Sequence, residues 1–155
     1  MAKAKVCWDS TVFIAILTGE ERTADDLQGL NEAIDLVDRR QLTVITSSLV
    51  RSEVLDRGSD AGVRERLRDL FRRPSFMIVE ASNAISDKAG DIRDALLQSG
   101  RRLKTEDATF IATAILHGAS ALHTFDDDQL ALSGLQEVDG LRIAKPHAEQ
   151  TILPL

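Results

Sequence analysis

The stretch TEDATFIATAILHGASALHTFD, residues 105–126, decides how this chain is read. Ala108, Ile111, Ala112 and Ile115 follow one another at helical steps, and Gly118 suits the left-handed turn that ends a helix. Directly after it, Ser120 to Thr124, centred on Ala121 and Leu122, is a segment of strand length. A helix feeding a short buried strand is one unit of an α/β fold, and the same alternation recurs along the chain. Strands are expected at Ala4 to Trp8, Leu42 to Thr46, Phe76 to Val79, Ser120 to Thr124 and, with a weaker pattern, Leu141 to Ala144. Amphipathic segments lie between them. Thr23 with Asp26 resembles a capping box ahead of the stripe Leu27, Leu30, Ile34 and Val37. Leu49, Val50 and Val54 make Ser47 to Leu55 a short helix after the second strand. Asp60 is placed to cap a helix bearing Val63, Leu67, Leu70 and Phe71, which Pro74 stops, and Ile85, Ala89, Ile92 and Leu96 form a further stripe that ends at Gly100. The expected architecture is one α/β domain over residues 1–155, with a mostly parallel sheet flanked by helices.

Composition agrees with a soluble globular chain: 43% hydrophobic and 28% charged, with three prolines and nine glycines. No apolar run approaches the roughly 20 residues of a membrane span. The positive start, Met1 to Lys5, precedes an apolar segment broken by Asp9 and Ser10, so no export signal is read there and a cytoplasmic protein is expected. The single cysteine, Cys7, excludes an internal disulfide and a cysteine-rich zinc site, and its apolar neighbours suggest a buried thiol without chemistry. His117, His123 and His147 are scattered and are assigned no ligand role. Net charge is -6, but residues 39–104 carry 14 Lys and Arg against 9 Asp and Glu, while both flanking regions are acidic. Such a division suits an enzyme that grips a polyanion beside an acidic pocket. Arg72 with Arg73, and Arg101 and Arg102 with Lys104, are the candidate phosphate contacts, although paired arginines near helix ends are commonly solvated.

Four acids stand where ligands bind in open parallel sheets, outside the carboxyl ends of the strands. Asp9 follows the first strand, Glu53 lies in the short helix after the second, Asp107 opens the helix near Thr105, and Asp126 follows the fourth strand. Each also has a structural reading as a cap, a dipole partner or a solvated residue. Together they would converge on one sheet end, and something positive must offset their repulsion. Oxygen ligands without His or Cys suit magnesium or manganese, and such a site can activate water for in-line attack on a phosphodiester. If repulsion dominates, Asp9→Asn should leave the metal-free chain at least as stable as the parent.

Val6-Cys7-Trp8-Asp9-Ser10-Thr11, Thr46-Ser47-Ser48 leading to Glu53, Asp107-Ala108-Thr109-Phe110-Ile111-Ala112-Thr113-Ala114, and Leu122-His123-Thr124-Phe125-Asp126 resemble, in order and spacing, the motifs of PIN-domain nucleases. In length the chain is similar to the VapC-type ribonuclease toxins of toxin–antitoxin pairs. The resemblance implies a three-layer domain with sheet order 3-2-1-4-5, a magnesium or manganese ion, and endonucleolytic cleavage of structured RNA such as tRNA. It further implies a cognate antitoxin and a homodimer. Carried over, Asp9, Glu53 and Asp107 take the core acidic positions and Asp126 the fourth. Asp128 shares or replaces the role of Asp126, and Ser10 and Thr124 hold carboxylates or waters in place.

Other readings stay in view. A receiver-like signalling domain also gathers acids at a sheet edge and has a late Lys-Pro pair like Lys145-Pro146, but it needs an acidic pair at the first strand and an Asp ending the third. An aspartate-nucleophile phosphatase needs a second Asp where Thr11 stands. A PIN-like module that binds RNA or protein without cleavage would keep the fold, and four intact acids argue against it.

Overall fold

In a computed structural model, which describes residues 3–55 and 61–149, a five-stranded sheet runs through the centre of the protein. Its strands are β1 (Ala4–Trp8), β2 (Leu42–Ser47), β3 (Phe76–Val79), β4 (Ala121–His123) and β5 (Arg142–Ala144). All pairings are parallel and the order is β3-β2-β1-β4-β5, the order that the resemblance implies. The helices are α1 (Ser10–Thr18), α2 (Ala24–Asp38), α3 (Val50–Leu55), α4 (Ala61–Phe71), α5 (Asn83–Gln98), α6 (Thr105–Leu116) and α7 (Asp127–Leu130). The position of Asp60, expected to cap α4, lies outside the described residues.

β1 is central because both of its faces are covered. Val6, Cys7 and Trp8 have no exposed surface, as continuous apolar strands of parallel sheets require. On one face Cys7 Sγ donates to the Phe110 carbonyl of α6, and burial raises the thiol pKa far above its usual range. On the other face the Trp8 ring meets Phe13 of α1 and Phe76 of β3 edge-on, at 5.7 and 5.9 Å between centroids. Phe71 of α4 closes the cluster against Phe13 and Phe76. Such edge-to-face contacts add about 0.5–1.5 kcal/mol each beyond their buried area.

α1 is a helix that periodicity does not reveal: Val12, Phe13, Ile14, Ala15 and Leu17 are all buried, so the apolar residues encircle it instead of forming a stripe. Its limits come from Asp9 at the N-cap and Gly19, whose φ of 66° only glycine adopts freely. α2 differs from its expected stripe. Leu30, Ala33 and Val37 are buried, Ile34 is half-buried, and Leu27 is 42% exposed. Thr23 does cap α2 through the Asp26 N–H, but the Asp26 carboxylate accepts from Lys145 Nζ at 2.9 Å and does not complete a capping box. Lys145 begins a segment after β5 that crosses α2 at Gly29, where a Cβ would stand 2.2 Å from the Pro146 carbonyl oxygen.

Two glycines inside helices therefore answer substitution in opposite ways. Gly29→Ala should lower the melting temperature, because about 1–3 kcal/mol of overpacking outweighs the gain in helix propensity. Gly90→Ala in α5, where the added Cβ meets nothing within 4 Å, should stabilise by about 0.5–1 kcal/mol. Thermal melts of both variants check the pair, and a stabilised Gly29→Ala would contradict the packing of the Pro146 segment.

Candidate active site

Because every strand is parallel, the residues that leave β1, β2 and β4 meet at one sheet edge, and α6, which returns to the start of β4, begins there too. Asp9 is the first of them. It is 1% exposed, and both carboxylate oxygens accept hydrogen bonds. Oδ1 accepts from the Thr11 backbone N–H at 3.0 Å and from Thr11 Oγ1 at 2.5 Å. Oδ2 accepts from Thr124 Oγ1 at 2.6 Å and from Gln129 Nε2 at 2.8 Å. The two threonine hydroxyls lie 3.3 Å apart and accept in turn from the N–H groups of Phe125 and Asp126. Asp9 is thus both a helix cap and a member of the cluster.

Glu53, on α3, accepts from Ser10 Oγ at 3.0 Å. Asp107 sits in the first turn of α6, a helix with no side-chain cap. Asp126 caps α7, accepting from the Asp128 N–H at 3.0 Å, while Asp128 itself is exposed. Gln129, buried to 1% exposure, donates one N–H to Asp9 and, at 3.2 Å, the other to Asp107 Oδ1. Its Oε1 is buried and has no hydrogen-bond partner, a state that costs about 1–3 kcal/mol.

The field confirms that these acids share one neighbourhood. Burial, then the charges of Asp126, Asp9 and Glu53, push the Asp107 carboxyl up to about 7, against a smaller opposing effect of Lys104. Burial also raises Asp9, and the hydrogen bonds from Thr11, Thr124 and Gln129 work the other way. Among the described residues no Lys or Arg forms an ion pair with Asp9, Asp107 or Asp126. Carboxylates held by neutral donors, with no basic side chain to discharge them, fit a hard divalent cation such as magnesium or manganese. In Asp9→Asn the relief of repulsion is set against the loss of charge-assisted hydrogen bonds from the Thr11 N–H, Thr124 and Gln129.

A cleft of about 690 Å³ is lined by the acids Asp107, Asp126 and Asp128 and by a basic group, Arg101, Arg102 and Lys104. Arg93 of α5 also reaches this cleft. Arg72 and Arg73 do not. They lie between α4 and β3, at the opposite edge of the sheet, paired with Asp69 at 3.1 Å and Asp38 at 2.7 Å. Thr11 and Gln129 were not legible as site residues: a hydroxyl two positions after an acid, and an amide in an acidic run, read as ordinary polar surface.

His123, His147 and Glu149 bring ligand atoms within 4.8 Å of one another on the Trp8 side of the sheet. Trp8 Nε1 donates to His123 Nδ1 at 3.2 Å, which places the ring proton on Nε2, facing Glu149 Oε1 at 2.9 Å. That nitrogen is a donor and offers no lone pair to a metal.

The PIN domain family model matches residues 6–135. No curated protein matches the sequence. In fold the chain is similar to VapBC2 from Rickettsia felis, a complex bound to a DNA fragment from its promoter, with 17% identity, a TM-score of 0.66, and coverage of 90% of this chain and 96% of the other. It is also similar to FitAcB from Neisseria gonorrhoeae (15%, TM-score 0.63, 91% and 97% covered) and to VapC20 from Mycobacterium tuberculosis, a sarcin-ricin loop cleaving toxin (18%, TM-score 0.61, 81% and 93% covered).

The raised pKa of Asp107 has a measurable consequence. In the metal-free protein the folded state keeps a proton up to about pH 7 that the unfolded chain releases near 3.8, so this group lowers stability as pH rises across that window. His123, whose pKa burial lowers, acts with the opposite sign below about pH 6.5. The difference between parent and Asp107→Asn isolates the acid. In chelator the variant should match the parent near pH 4, gain on it as the pH rises to about 7, and exceed it by about 1 kcal/mol at pH 8, after allowance for solvent screening. Identical pH profiles in thermal melts would remove the charge cluster as its cause.

Proposed function

The chain belongs to the PIN-domain family, and from that premise we propose that it is a magnesium- or manganese-dependent endoribonuclease, the toxin of a toxin–antitoxin pair. The observation that carries this reading is the convergence of Asp9, Glu53, Asp107 and Asp126 from separate elements beside a cleft with a basic wall. Asp9, Glu53, Asp107 and Asp126 are the residues proposed to hold the cation, with Asp128 available at the cleft mouth. A bound divalent ion would supply activation of water and stabilisation of the charge that develops on the phosphate. The chain does the rest. Ser10 orients Glu53, Thr11 and Thr124 fix both oxygens of Asp9, and Arg101, Arg102 and Lys104 neutralise the phosphates of the bound strand.

RNA as substrate, tRNA or another structured RNA among the candidates, draws support from the VapC20 neighbour, which is described as cleaving the sarcin-ricin loop. An antitoxin partner draws support from VapBC complexes among similar structures, and a homodimer remains part of the reading. Among the described residues no helix is long and apolar enough to cross a membrane. A cytoplasmic location accords with an RNA target.

Purified protein with total RNA should cleave only when magnesium or manganese is present, and Asp107→Asn should reduce cleavage at least 100-fold, by analogy with the loss of a group central to transition-state stabilisation. Cleavage undiminished in excess chelator would sink the metal requirement. The basic wall predicts a separate result. Replacing Arg101, Arg102 and Lys104 by Ala should flatten the dependence of log affinity on log salt by about 0.7 for each phosphate these side chains neutralise, whereas replacing Arg72 and Arg73 should leave it unchanged. Equal effects at the two edges would show that the cleft is not the RNA path.

A further inference from the structure

Gln129 is the least expected residue of the site. Asp127, Asp128, Gln129 and Leu130 make up α7, and its two acids are exposed while the amide is buried at 1%. If the position served packing alone, an apolar side chain of the same length would fill it without leaving Oε1 buried and unpartnered. What the amide adds is a pair of N–H donors diverging from one nitrogen, one to Asp9 Oδ2 and one to Asp107 Oδ1. Asp9 comes from the end of β1 and Asp107 from the start of α6, elements that pack on each other, and the Gln129 amide joins the two carboxylates directly. Because the amide is neutral it leaves their charge for a cation to discharge. Lys or Arg in the same place would form an ion pair and occupy the gap.

We propose that Gln129 is a positioning residue that brackets Asp9 and Asp107 in the metal-free protein and presets the gap a divalent cation enters. This rests on reading the acids as a metal site. Glu53, held by Ser10, and Asp126, whose N–H meets Thr124, lie outside the bracket, and Asp9 and Asp107 are the pair Gln129 joins.

The test uses the full chain stripped of metal and titrated with Mn²⁺, free ion being followed by electron paramagnetic resonance. Gln129→Met keeps length and burial and removes both donors. It should retain the parent's circular dichroism in chelator and bind Mn²⁺ about tenfold more weakly, the lower end of the loss seen when a ligand-orienting partner is removed. Parental affinity in a folded Gln129→Met would overturn the bracket while leaving the metal site intact. Failure of the parent itself to bind Mn²⁺ would overturn the metal reading and the proposal with it. A second measurement needs no variant. In ¹⁵N–¹H spectra of the parent, the Gln129 carboxamide pair should shift in step with Mg²⁺ saturation, and a pair unmoved as Asp107 backbone signals saturate would equally overturn the proposal.

Discussion

The fold and the site both depend on a buried carboxylate at the end of the central strand. Asp9 closes β1, caps α1 and receives donors from Thr124, just past β4, and from α7, so the same oxygens that end a strand also join its neighbours. The peptide group before it is fixed as well: the Trp8 carbonyl accepts from Thr46 Oγ1 of β2, and the Asp9 N–H donates to the His123 carbonyl of β4. A charge taken out of water persists only where hydrogen bonds replace its hydration. Here the replacements are neutral, which keeps the carboxylate in place without cancelling it.

The sheet was legible because parallel strands buried on both faces are written as short apolar runs, and all five were located to within a residue or so. Helices were legible where one face meets solvent. In α5 the stripe Ile85, Ala89, Ile92 and Leu96 is buried in full. α1 was not anticipated, since a helix apolar on all sides has no periodicity to detect. In α2 the apolar pattern marked Leu27 as core, whereas packing runs through Ala33, a residue too small to stand out in a hydropathy pattern. The cause is the segment at Gly29 and Pro146, a contact between positions more than a hundred residues apart.

At the site, the acids could be located because each follows a strand or opens a helix at the carboxyl edge of the sheet. Their neutral partners could not. Gln129 reaches Asp9 from the far end of the chain, and Thr11, although two positions from Asp9, is tied into the site by Thr124 and the Phe125 N–H, contacts between distant positions. Charge counted along the sequence misled in a similar way. Arg72 and Arg101 belong to the same basic stretch, yet one stands at the amino edge of the sheet in an ion pair and the other at the carboxyl edge beside Asp107. Sequence proximity groups charges by chain, whereas the potential a ligand feels groups them by edge.

Two carboxylates in this protein show how environment divides acids whose charge is compensated from acids whose charge is opposed. Glu149 has Arg142 Nη2 within 2.6 Å of both oxygens and His123 Nε2 at 2.9 Å. Burial works against its charge, but these hydrogen bonds hold its carboxyl down at about 2. Its charge is already satisfied, and it pins the segment after β5 to β4 and, through His123, to Trp8. Asp107 has the reverse surroundings: three acids nearby, an amide donor, and a carboxyl pushed up to about 7. Asp9, Asp107 and Asp126 form no ion pair with Lys or Arg among the described residues, and acids gathered in this way beside a cleft argue for a ligand of opposite charge. Two consecutive residues serve both ends of this contrast: His123, the last of β4, anchors Glu149, and Thr124, directly after the strand, binds Asp9.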